Sequence, residues 1–401
     1  MKKLMLSVLA LSFAFSIQSQ EENTDVVYRR SSLFTLMVSD KHREYADVIK
    51  ETFNTAEIPE KFNNHNIDLR TIKKSYHDSD SKEDKKESQK NANQEFFSTN
   101  NIAKLLVAKW FNRSNKGGFD MNLISERGLY NASELDVKIA KNSERGLALL
   151  ADAGEELIKN TFVLVNDFKY ISKEEVAEKA KTGLAFASGL VSSSSFGSKV
   201  ANSALDIAGK GYVIKTTSYL YKLVWNEETA AVFYNDHWID DEHIDYNRKK
   251  AFEQSDVFKL ELVGTEVAWA DLQATSYTQK SEEELVATAT VKAIDAVIAK
   301  LQRKYEVFRT KTPLLSGNPL SAKIGLKEGL EGGDKYEVLE QTIDKNGKTF
   351  YKRKGVIKVD KKQIWDNKFS AEEEHEEEEK EYTLFKGGKN YYSGMLIRQI
   401  N

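Results

Sequence analysis

The chain has 401 residues, 59 of them basic and 62 acidic, and the net charge of −3 gives no general pull toward nucleic acid or anionic lipid. It has no cysteine, which excludes disulfides, thiolate metal sites, catalytic thiols and a lipid-anchored N-terminal cysteine. With 40% hydrophobic and 10% aromatic residues it can fill real cores, and at about 100–200 residues per domain two or three domains are expected.

The first twenty residues, MKKLMLSVLALSFAFSIQSQ, have the three parts of a secretory signal peptide. Lys2 and Lys3 are basic, Leu4 to Ile17 is apolar, and Gln18 to Gln20 is a small polar exit. The apolar run is too short to span a bilayer, and no later run approaches the roughly 20 residues a span needs. Export is therefore expected, with residues 1–19 removed, to the periplasm or the outer membrane, and not as a lipoprotein.

Residues 20–160 read as a helical N-terminal region. Ser31 to Val38 is strand-like, and Lys41 to Phe53 carries Tyr45, Val48, Ile49 and Phe53 at helical spacing behind a Ser39–Asp40 cap. Ser75 to Gln94 is almost wholly polar and reads as a mobile loop. Phe97 to Phe111, Ala132 to Ala140 and Glu144 to Asn160 read as helices.

Residues 161–310 read as a central mixed α/β layer. Phe162 to Phe168 is a central strand, and a helix is expected from Lys173 to about Gly189. Tyr212 to Trp225 and Thr229 to Tyr234 read as two strands joined by a turn at Asn226 to Glu228. Phe258 to Val263 and Thr265 to Ala274 read as another strand pair. Glu282 to Arg303 is a helix with an acidic first turn, and Tyr305 to Thr310 returns as a strand. Lys311 to Pro319 (KTPLLSGNP) holds two of the three prolines and marks a boundary. Beyond it, short strands, tight turns and a hairpin at Asp344 to Gly347 predict a small antiparallel barrel over 320–401, with an acidic insertion at 371–381. The fold class expected is α+β.

No fixed-spacing catalytic motif is present. Asp236 to Asp245 (DHWIDDEHID) places two imidazoles and several carboxylates within ten residues, a donor set suited to Zn²⁺, Mn²⁺ or Ca²⁺. In an extended segment His237, Asp241, His243 and Asp245 share a face, although the run matches neither HExxH nor a Ca²⁺-loop pattern. A solvated acidic turn explains the same residues. The seven glutamates around His375 (Glu372 to Glu379) attract cations without enforcing geometry, and read as a solvated insertion or a docking strip for a basic partner. Gly183 to Gly197 is rich in Gly and Ser but fits neither GxxxxGK[ST] nor GxGxxG. His42 reads as a surface residue of a first turn, and His65 as a turn residue. Trp110, Trp225, Trp238, Trp269 and Trp365 could stack on sugars, and Trp225 and Trp269 are assigned to core.

Two stretches carry resemblances. The opening RRSSLFTLMVSD…F…IPEKFNNHNI resembles the N-terminal block of a family of exported bacterial proteins of unknown function. Ala322 to Val359 (AKIGLKEGLEGGDKYEVLEQTIDKNGKTFYKRKGVIKV) is similar to the SH3-like barrel of the flagellar T-ring protein and to envelope-assembly proteins of the curli-secretion type. This resemblance implies an α/β domain of strand, helix, strands and long helix preceding the barrel. It implies no catalytic residue. The expectation is a non-catalytic exported envelope protein, with an envelope protein as partner, no nucleic acid and no cofactor. The alternatives are a metal-dependent hydrolase using the 236–245 cluster with Zn or Mn, and a carbohydrate-binding protein.

Overall fold

The structure, a computed structural model, describes residues 31–59, 61–131, 157–172, 211–273, 280–343, 349–367, 381–388 and 390–400. The expected signal peptide, the helices expected at 132–140 and 173–189, most of the one expected at 144–160, the Gly/Ser run, the hairpin turn expected at 344–347 and the acidic run lie outside the described residues.

The molecule is mixed α/β, and the strands among the described residues fall into two sheets. The first is built on β1 (Ser31–Ser39) and β4 (Thr161–Ser172), whose SSLFTLMVS and TFVLVNDF runs are buried on both faces. Continuous apolar text of this kind suits strands covered on two sides. β1 lies parallel to β4, to β2 (Phe62–Asn64) and to β3 (Thr71–Lys73). β5 (Gly211–Leu223) then pairs antiparallel with β4, and β6 (Leu260–Gln273) with β5. The order β2-β1-β4-β5-β6 places β1 inside the sheet, so the N-terminal region and the central layer share one sheet.

Helices cover both faces. α1 (Ala46–Thr55) and α7 (Glu282–Lys304) pack on one through Leu33, Phe162, Leu164, Leu220, Ala289 and Val297. The other carries α2 (Lys82–Thr99), α3 (Ile102–Trp110), α4 (Asn122–Asn131) and α6 (Tyr246–Gln254), with Phe34, Trp110, Phe111, Val163, Tyr221 and Phe233 in the core. α7 forms because Ser281 and Glu284 make a reciprocal capping box, three glutamates occupy its first turn, and Arg303 and Lys304 its last.

Five expectations are corrected. α1 starts at Ala46, after Tyr45 in the left-handed region, so Ser39–Asp40 does not cap it. Ser75 to Gln94 is mostly helix: Ser81 caps α2 through the Asp84 N–H, and Gln89, Asn93 and Phe97 form its buried stripe. Thr229 to Tyr234 is helical, in α5 (Glu227–Val232) and a π-turn (Phe233–His237), because the Asn226 side chain caps the Thr229 N–H. Tyr305 to Thr310 contains a single 3₁₀ turn (Glu306–Phe308), since the Tyr305 N–H is still held by the Leu301 carbonyl. The expected pair from Phe258 to Ala274 is the single strand β6, broken in register opposite Leu220 and Tyr221.

The second sheet is antiparallel and curled into a half-barrel, with the order β7-β13-β10-β11-β12-β9-β8. Its strands are β7 (Thr312–Pro313), β8 (Ser316–Gly317), β9 (Leu320–Ala322), β10 (Lys335–Ile343), β11 (Thr349–Val359), β12 (Thr383–Lys386) and β13 (Leu396–Ile400). Tyr336, Val338, Ile357, Val359, Phe385 and Ile397 line its concave core. The two sheets meet at α7, where Arg303 makes paired bonds to Asp334 (2.9 and 3.2 Å) and Arg309 reaches the Gln399 carbonyl.

Candidate functional site

In open sheets with parallel strands, ligands favour the carboxyl ends of those strands. Here that end of β1 and β4 carries a buried charge cluster beside a shallow depression lined by Ser39, Asp40, Lys41, Arg43, Lys50 and Phe168. Asp40 and Arg43 stand on the β1–α1 connection, Lys74 and Tyr76 follow β3, and Asp167 projects from β4. Arg43 Nη1 donates to Asp167 Oδ1 and to the Phe168 carbonyl, and its Nη2 to the Tyr76 hydroxyl at 2.6 Å. Tyr76 donates in turn to Asp167 Oδ2. The Arg43 and Asp167 side chains are only 10% and 7% exposed, so the pair is a buried one.

Lys74 sits 2.9 Å from Asp40 and 3.0 Å from Asp78. Burial acts to raise the Asp40 carboxyl, but Lys74, the His42 N–H and Arg43 outweigh it, and its pKa is lowered. Burial acts to lower the Lys74 ammonium, and the two carboxylates outweigh it in the other direction. Burial and then the Asp167 charge push the Tyr76 phenol far above its ordinary value. These groups neutralise one another. The phenol is no nucleophile, and Asp167 has both oxygens committed. The cluster holds the β1–α1 connection against β3 and β4.

A polar chain continues inward from it. The Gln89 amide oxygen accepts from the Ser75 N–H, Gln89 donates to Asn93, and Asn93 donates to the buried Tyr221 hydroxyl at 3.2 Å. At the opposite end of the strands, His65 is fully buried rather than a turn residue: the same chain reversal that makes β2 places it against α3. Its ring stacks on Trp110 with centroids 4.8 Å apart, one nitrogen faces the Leu106 carbonyl at 3.0 Å, and the other accepts from Arg127 at 2.9 Å. Burial, then the Arg127 charge, hold the imidazole well below its ordinary pKa, so it is neutral.

The four residues of the 236–245 cluster are not brought together. His237, 5% exposed, lies 3.1 Å from the Ser255 hydroxyl among Phe252 and Phe258. Asp241 accepts from the Ser114 hydroxyl and the Gly118 N–H, tying two loops where a side chain at Gly118 would strike it at 2.2 Å. His243 is exposed and bonds Asp240. Asp245 caps α6 through the Asn247 and Arg248 N–H groups. The expected extended segment is replaced by a π-turn and a bend, and among the described residues no three His, Cys, Asp or Glu side chains group as a metal would require.

Of the tryptophans, Trp110 and Trp225 are buried and not open to a sugar face. Trp269, expected in the core, is half-buried on β6 with Lys215 5.5 Å from its ring. The fold and site thus define a mixed α/β protein with a self-neutralised strand-end cluster and a docked, curled antiparallel sheet. No protein-family model matches the chain, and no curated protein matches it.

Proposed function

We propose that this is a non-catalytic protein of the bacterial cell envelope, exported by its first 19 residues and working as an interaction or assembly component in the periplasm or at the outer membrane. The observation that carries the reading is the strand-end cluster. Where an α/β enzyme would present reactive groups, the part-buried Asp40, Arg43, Lys74 and Tyr76 and the buried Asp167 bond and neutralise one another. The C-terminal sheet is proposed to be an SH3-like barrel of the kind found in the flagellar T-ring protein and curli-secretion-type assembly proteins. Its curled antiparallel form and the Gly329 and Gly333 turns at positive φ before β10 support that reading.

The experiment is fractionation of cells expressing the untagged chain, with intact-mass measurement of the product. A mature chain lacking about 19 residues and recovered with the envelope is expected. A full-length chain left in the cytosol contradicts the proposal.

A further inference from the structure

The outer face of the second sheet carries an arrangement that folding alone does not favour. Lys335 on β10 stands directly opposite Lys358 on β11, and Lys358 directly opposite Lys386 on β12. All three side chains are exposed, and they point away from the core formed by Tyr336, Ile357, Val359 and Phe385. Side chains directly opposite across strands have Cβ atoms about 5 Å apart, and like charges in such pairs repel. Lys386 is partly neutralised by Asp360 at 2.9 Å, whereas Lys335 and Lys358 have no acidic partner among the described residues. Exposed Lys361 and Lys362 follow at the end of β11, Lys361 lying against Gly332 close to the start of β10. Half-buried Val356, Leu384 and Ile400 fill the gaps on this face.

We infer that this face binds the anionic phospholipid headgroups of a bilayer surface, which deepens the envelope reading and rests on it. Ammonium groups repeated along a line across a sheet match a plane of repeated phosphates better than they match a single small anion. The half-exposed aliphatics between them suit a wet, partly apolar interface. Among the described residues no helix is long and apolar enough to cross a membrane, so attachment through this face would be peripheral.

The test is co-sedimentation of the purified full mature chain with vesicles of phosphatidylcholine alone or mixed with phosphatidylglycerol, over a salt series. Binding to the mixed vesicles only, weakening with salt, is expected. At about a fivefold loss per lysine, the K335Q/K358Q/K386Q variant should bind on the order of 100-fold more weakly. Its thermal midpoint should be little changed, because relief of the lysine repulsion offsets loss of the exposed Lys386–Asp360 pair. Equal binding to neutral vesicles, no binding, or undiminished binding by the folded variant overturns the inference. So does a soluble polyglutamate competitor held more tightly than the vesicles, which would make an acidic protein the partner. These outcomes leave the export result untouched, so failure of one reading is separable from failure of the other.

Discussion

Asp167 accepts from both Arg43 and Tyr76, so one carboxylate balances a buried guanidinium and orients a phenol. Replacing two charges by well-packed apolar groups can be neutral, but removing one partner strands the other in a poorly solvated position. Asp167→Asn should therefore cost about 3–5 kcal/mol, read from urea unfolding of the mature chain. A loss under about 1 kcal/mol would mean that the Arg43 charge is solvated and that the cluster does not brace the strand ends. Arg43 and Asp167 are 124 residues apart, and Arg43 and Tyr76 33. Nothing local in the sequence joins them, and only the parallel pairing of β1 with β3 and β4 does. The 236–245 residues, by contrast, are close in sequence and face different partners, because a π-turn and a helix cap redirect them.

At the scale of elements, legibility followed the strength of the period. α7 has its apolar stripe, its capping box and charges of the favourable sign at both ends, and its bounds are nearly those expected from the sequence. Ser281→Ala removes the cap to the Glu284 N–H and should cost about 1 kcal/mol, measured as a shift of the urea midpoint. No measurable shift would show that packing against the sheet, and not the cap, sets the start of this helix. α2 was hidden because its buried stripe is two amides and one phenylalanine, which composition reads as solvated. Ser81 and Asp84 were the available signal. α5 was hidden because TAAVFY suits a strand as well as a helix, and the Asn226 cap decides between them. β1 and β4 were legible as buried strands, but their shared sheet was not, since parallel partners lie far apart along the chain.

The two sheets act on each other through α7. Where the segment before β2, α7 and the 3₁₀ turn Leu326–Glu328 converge, Lys61, Asp295, Lys327 and Glu328 are packed together. Lys61 lies 3.7 Å from Glu328, and Lys327 3.8 Å from Asp295. Burial, partly offset by Lys327, raises the Asp295 carboxyl from 3.8 to about 6. Burial likewise lowers the Lys61 ammonium, against the pull of Glu328 and Asp295.

An acid whose folded pKa is raised weakens the folded state as it ionises. The Asp295 penalty is absent below about pH 4, grows as pH rises and is complete above about pH 6. Asp295→Asn should therefore stabilise the protein by up to about 3 kcal/mol at pH 7.5 and change little at pH 4, as read from paired urea titrations. Destabilisation at pH 7.5 would mean that the carboxylate is a required partner of Lys61 and Lys327. Charge shows the same contrast between scales. A net value of −3 suggests no attraction to anions, yet strand register gathers Lys335, Lys358 and Lys386 on one face.

The proposed role is to hold other envelope components and not to catalyse a reaction. The most direct test is affinity recovery of the tagged mature chain from gently solubilised envelopes, read by quantitative mass spectrometry. The account predicts an envelope protein recovered in stoichiometric amount. A chain that returns alone from native envelopes, with no protein companion, would contradict it.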